Sequence, residues 1–281
     1  MKELIKRNRA LTLFFLITLV LSAVFETMII VSDSAVGYLL MMWSPAVAAL
    51  IAIPVRLKEE GRKLTLKNYL LAGGFRFCNV LYVLLGCLLP LVYLLIPYLV
   101  YWAKYPDNFA YSGVAFSLIL TDIGLPMLLG TVLGLLSALG EEIGWRGFMV
   151  PELYKKLGLE KTLLISSLIW CLWHMPILLF GGYMEGTPMW YQAPAFLLCI
   201  LPVGIMAGLL AIKTKSMWPA AFLHAAHNNY DQAVFGVITR GDDRMFYVSE
   251  TGILTIVCAW ALAAALYFAW RKKLPPAEKA E

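Results

Sequence analysis

The residues best suited to chemistry in this chain sit in three short stretches. They are Gly140-Glu-Glu-Ile-Gly-Trp-Arg-Gly-Phe148, Trp170-Cys-Leu-Trp-His174 and His224-Ala-Ala-His-Asn-Asn-Tyr-Asp231, and the last two hold all three histidines of the chain. Carboxylate and imidazole together are the working parts of general acid–base catalysis, and an Asn amide can donate to an oxyanion. At about 100° per helical residue, Glu142 and Arg146 lie one turn apart on nearly the same face, which suits an internal ion pair. Glu141 points about 100° away from that face and is left free to act on a substrate. We therefore expect Glu142 and Arg146 to support the structure and Glu141 to act in catalysis. His224 and Asn228 are also one turn apart and face one cavity. His174 comes from another segment, where Pro176 should loosen the helix. Trp170 and His227 are expected to pack behind these groups, and Asn229, Tyr230 and Asp231 to serve the far end of their helix.

The elements that carry these residues must lie in a membrane. The chain has 281 residues, 61% hydrophobic and 15% charged, with a mean hydropathy of +0.75. A soluble domain is roughly 45–50% apolar and 25% charged, so lipid must solvate much of this surface. Runs of about 20 apolar residues mark spans near 10–31, 36–55, 78–102, 126–150, 162–180, 191–212, 217–238 and 251–270. The apolar segment 114–125 reads as a separate short helix, because Gly124-Leu-Pro126 is a natural break. The fold class expected is all-α, with about eight transmembrane helices in a single domain, 1–281, around a cytosol-facing cavity. Residues 274–281 read as a solvated, frayed tail, and the first span as retained rather than a cleaved signal.

Basic residues set the orientation. With both termini in the cytoplasm, the N-terminus, 56–76, 146–161, Lys213 with Lys215, and the C-terminal tail hold all the Lys and Arg except Lys104, Arg240 and Arg244. The net charge of +5 then faces anionic lipid headgroups, and a nucleic-acid partner has no basic face outside the membrane loops. The segment 56–76, with Leu64, Leu66 and Tyr69 among its charges, is expected to lie on the membrane surface. The five cysteines form no CxxC pair and read as small core residues.

Charges inside spanning helices cost about 2.5–3.5 kcal/mol each on insertion scales, which makes them functional candidates. At these residues the sequence resembles the CPBP family of intramembrane proteases, typified by the type II CAAX prenyl endopeptidase and including Abi and bacteriocin-immunity proteins. That family carries EExxxR, FxxxH and HxxxN on separate helices. Glu141-Glu142…Arg146 and His224…Asn228 match the first and third, and Trp170…His174 matches the second with Trp for Phe. The motif-bearing part covers residues 126–230.

The resemblance implies a peptidase, an intramembrane CAAX-type endopeptidase acting on a membrane-associated peptide or protein substrate in a prokaryotic plasma membrane. By carry-over, Glu141 with His174 activates a water, and His224 with Asn228 stabilises the oxyanion. A metalloprotease variant of this reading lets Glu141, His174 and His224 hold Zn²⁺, although no HExxH motif is present. Two other readings stay open: a transporter or channel, against which no internal repeat is found, and a catalytically silent immunity or scaffold member of the same family.

Overall fold

A computed structural model describes residues 8–276, and among these it is almost wholly helical. The long helices are α1 (Arg9–Ser32), α2 (Ala35–Glu59), α4 (Val80–Lys104), α5 (Phe116–Glu142), α7 (Leu159–Trp173), α9 (Met189–Thr214), α10 (Trp218–Asn228) and α12 (Ile253–Trp270). Short helices α3 (Leu66–Ala72), α6 (Val150–Leu157), α8 (Met175–Phe180) and α11 (Arg244–Tyr247) lie between them. Two π-helical stretches, Ile143–Met149 and Asn229–Phe235, follow α5 and α10 without a break.

Among the described residues, seven helices are long and apolar enough to cross a membrane: Arg9–Ser32, Ala35–Glu59, Val80–Lys104, Ser117–Leu157, Leu159–Phe180, Met189–Thr214 and Ile253–Trp270. The eighth expected span, 217–238, is helical from Trp218 through Phe235. Its centre carries His224, His227, Asn228, Asn229 and Asp231, and it falls short on apolarity. It is shielded instead by α4, α5 and α9, which pack around it. A polar helix is tolerated at this depth because protein, not hydrocarbon, surrounds it.

One boundary expectation is corrected. The segment 114–125 is not a separate helix: α5 runs unbroken from Phe116 through Pro126. Proline removes one backbone hydrogen bond, a loss that a neighbouring helix can brace. The carbonyl this frees is that of Asp122; just beyond it Asn229 ties α5 to the neighbouring helix, its Nδ2 donating to the carbonyls of Pro126 (3.2 Å) and Met127 (2.9 Å). Of the tail expected to fray, Leu274 packs beside Ile212 and Leu163, and the Pro275 carbonyl accepts from Tyr154 Oη at 2.8 Å. Residues 277–281 lie outside the described residues.

Close helix approach is bought with small side chains, the usual device where lipid removes the hydrophobic drive for association. Gly86 on α4 lies against the first turn of α10, where an added Cβ would stand 2.3 Å from the Pro219 carbonyl oxygen. Gly144 meets α2 the same way, its missing Cβ 2.4 Å from Pro45 Cβ. These contacts hold α10 and the first π stretch in place, and so fix where the motif residues point.

Candidate active site

The first motif falls at the junction of α5 with its π stretch, the second at the end of α7, and the third on α10 just before its π stretch. π-Helical insertions recur at functional sites because they rotate side chains off the regular face. His174 caps α7, and Pro176 opens α8 immediately afterwards, the local break expected from the sequence.

Glu142 and Arg146 form an ion pair at 2.7 Å, both buried. The same carboxylate oxygen, Oε1, lies 2.9 Å from His224 Nδ1, while Oε2 is buried without a hydrogen-bond partner. A carboxylate only accepts, so His224 donates from Nδ1 and its Nε2 is turned away from Glu142. Spacing alone made Glu142 a partner of Arg146. The structure adds a second task, holding the imidazole of His224 in one orientation.

Glu141 points the other way, as its helical position predicts. Its Oε2 accepts from Trp170 Nε1 at 2.6 Å, and the residue is buried. His174 Nδ1 lies 2.8 Å from the Trp170 carbonyl, which can only accept. Nδ1 therefore carries the proton, and the lone pair of neutral His174 sits on Nε2. Asn228 is half-buried, and its side chain makes no hydrogen bond among the described residues.

Trp170 is the common neighbour of this group. Its ring centroid stands 5.7 Å from that of His174 and 5.3 Å from that of His224, and the Arg146 guanidinium lies 4.1 Å above it. With the Nε1 bond to Glu141, a single indole touches the first, second and third motifs. The phenyl ring in the resembling pattern could pack here but could not donate to Glu141.

Among the described residues no three His, Cys, Asp or Glu side chains converge as metal ligands. The hydrogen bonds of His174 and His224 use Nδ1 and leave Nε2 of each ring open, the arrangement of a metal-ligating histidine anchored through its other nitrogen, and Glu141 keeps Oε1 open.

A second polar layer behind the site was largely invisible in the sequence. His227 is fully engaged: Nε2 lies 3.1 Å from Glu250 Oε1, and Nδ1 lies 2.7 Å from Tyr93 Oη. Since Glu250 can only accept, Nε2 donates to it, and Nδ1 faces the tyrosine hydroxyl. Glu250 also accepts from Gln232 Nε2 at 3.2 Å and faces Tyr183 Oη at 3.5 Å, and the Tyr183 ring stacks on His174 with centroids 6.2 Å apart at 26°. Asp231 accepts from Tyr98 Oη (3.0 Å) and Ser249 Oγ (2.6 Å), and so serves this layer. Glu250 stands alone in sequence, before α12 and 23 residues from its imidazole partner. The available signal was His227 itself, whose i+4 neighbour Asp231 turns instead to Tyr98 and Ser249.

Residues 123–230 match the sequence profile described as type II CAAX prenyl endopeptidase Rce1-like. The chain is also 29% identical over 129 residues to CAAX prenyl protease 2 of Methanococcus maripaludis, an alignment covering 44% of this chain and 45% of that protein. The matched segment runs from the middle of α5 through Tyr230 and holds all three motifs. Over residues 123–230, which carry the whole candidate site, the chain is a match to the Rce1-like family of type II CAAX prenyl endopeptidases.

Proposed function

We propose that this protein is an intramembrane endopeptidase that hydrolyses a peptide bond near the C-terminus of a membrane-associated, prenylated CAAX-type substrate. The observation that carries the reading is the contact of one indole, Trp170, with Glu141, His174 and His224, which ties the polar groups of three helices into one unit.

In this reading Glu141 and His174 share the activation of water. His174 presents an unprotonated Nε2, and Glu141 keeps Oε1 clear of the indole. The water oxygen adds to the scissile carbonyl carbon while its proton passes to this pair, a positioned proton transfer worth about 10²–10⁴ in rate. The carbonyl oxygen becomes an oxyanion, met by the Asn228 amide and by Nε2–H of a doubly protonated His224. Glu142 stabilises that imidazolium through Nδ1. A preorganised donor of this kind contributes about 10²–10³ in rate. Collapse of the tetrahedral intermediate breaks the C–N bond, and the proton taken from water returns to the leaving amine.

The basic loops gather at one end of the bundle, so both termini are assigned to the cytoplasmic side of the plasma membrane. Prenylated peptide substrates reach the site from that side or laterally from lipid.

Paired substitutions test the reading. Glu141→Gln is expected to fold and to lose hydrolysis of a prenylated CAAX-type peptide, and His174→Ala and Asn228→Ala to lose rate as well. A Glu141→Gln protein that cleaves at the full rate would end the glutamate mechanism.

A further inference from the structure

A cavity of about 830 Å³ opens at the end of the bundle where the basic loops meet, apart from Glu141, His174, His224 and Asn228. Its lining includes seven basic residues, among them Arg56, Arg62, Arg76, Arg146 and Lys155, against three acidic ones, Glu59, Glu60 and Glu152. Two of those carboxylates are heavily shared. Glu60 takes Arg56 (3.1 Å), Arg62 (3.0 Å) and Lys155 (2.5 Å), while Glu152 takes Arg56 (2.9 Å), Lys155 (3.1 Å) and Lys156 (3.9 Å). Four cations thus lean on two carboxylates, and the wall keeps an excess of positive charge. At its floor lies Arg146, 3% exposed, whose single protein hydrogen bond goes through Nη1 to Glu142. A guanidinium has five N–H donors, so the rest of its fork is unused by the described residues.

The neighbourhood says what covers this charge. Leu71, Gly74 and Arg76 of the lining belong to α3 and the turn after it. On the same segment Leu64, Leu66 and Phe77 are 65%, 76% and 91% exposed. A short helix with bare leucines beside a basic hollow is built for the boundary between headgroups and acyl chains. Ala211 and Ile212 at the end of α9, with Pro151, give the hollow an apolar wall beside its charges.

We propose that this cavity binds the phosphate of an anionic phospholipid, with the acyl chains lying over Leu64, Leu66 and Phe77. Net negative charge is required, since a choline group would cancel the attraction. The lipid seats α3 on the bilayer surface and places an anion beside Arg146. The proposal does not depend on the chain being a peptidase.

Native mass spectrometry of the full-length protein in detergent, titrated with phosphatidylglycerol, phosphatidylcholine or inorganic phosphate, tests it. Phosphatidylglycerol should be retained, and neither phosphatidylcholine nor millimolar phosphate should bind or displace it. The double variant Arg62→Gln/Arg76→Gln, which removes two charges at the cavity rim, should weaken phosphatidylglycerol retention on the order of tenfold. Lys58→Gln/Lys63→Gln, exposed basic residues outside the cavity, should leave it unchanged, and Arg62→Lys/Arg76→Lys should restore it. Equal loss in both Gln pairs would mean diffuse attraction and overturn the site. So would failure of the Lys pair to recover binding. Phosphate that competes at millimolar concentration would overturn a lipid as the occupant.

Discussion

Trp170→Phe isolates one hydrogen bond of the site. The substitution keeps an aromatic ring beside His174 and His224 but removes the N–H that reaches Glu141 at 2.6 Å. A hydrogen bond to a charged group contributes about 1.5–3 kcal/mol, and this one is buried and short. If it holds Glu141 in the orientation needed to activate water, its loss corresponds to about 10–150-fold in rate at 1.4 kcal/mol per factor of ten. The smaller ring also leaves space and weakens the contact with Arg146, now 4.1 Å above the indole, at a stability cost of about 1–3 kcal/mol. The assay is hydrolysis of a prenylated CAAX-type peptide by protein in lipid vesicles, with kcat and KM determined separately and thermal unfolding followed in parallel. We expect kcat to fall by at least about tenfold with KM nearly unchanged, since an interaction that orients the general base acts in the transition state more than in substrate binding. The fold should survive, because Phe occupies this position in the pattern the chain resembles. A folded Trp170→Phe protein with full kcat would refute the assignment of the indole as the group that positions Glu141.

Glu142→Gln should behave differently: it leaves Arg146 buried opposite an amide and deprives His224 of its anionic partner, so a loss of about 3–5 kcal/mol is expected in denaturant unfolding, along with reduced activity. Gly86→Ala should destabilise the fold by about 1–3 kcal/mol, read as a lower melting temperature, since its Cβ would meet the Pro219 carbonyl at 2.3 Å and push α10 away from α4. In the basic cavity, burial tends to raise the Glu60 carboxyl, but the Lys155 hydrogen bond and the charges of Arg56 and Lys155 outweigh it and bring the carboxyl from 4.5 down to about 2. A depressed carboxyl stabilises the fold above its unfolded value, so this contribution should be lost as pH falls from about 4.5 to 2. Unfolding of Glu60→Gln, followed between those pH values, should show a flatter dependence than the unsubstituted protein.

What the chain could say about itself was what depends on short range. Apolar runs of spanning length, the i, i+4 placement of Glu142 with Arg146, and the divergence of Glu141 from that face follow from helical geometry and the hydrophobic effect acting within one segment. The break at His174 before Pro176 was legible for the same reason. Proline read alone misled at Pro126: α5 continues through it, packed against a helix whose Asn229, 103 residues on, bonds the Pro126 carbonyl.

Only the tertiary structure decided which buried polar groups meet. Glu142 with His224, Trp170 with Glu141, and Glu250 with His227 are pairs drawn from different helices. No periodicity links such residues. Their pairing is set by how closely Gly86 and Gly144 let the helices approach, and by the cost of leaving any one of those groups alone in a low-dielectric interior. The gathering of cations from distant loops into one cavity has the same origin: each loop shows its charge in sequence, but only packing brings those charges to the wall of one cavity.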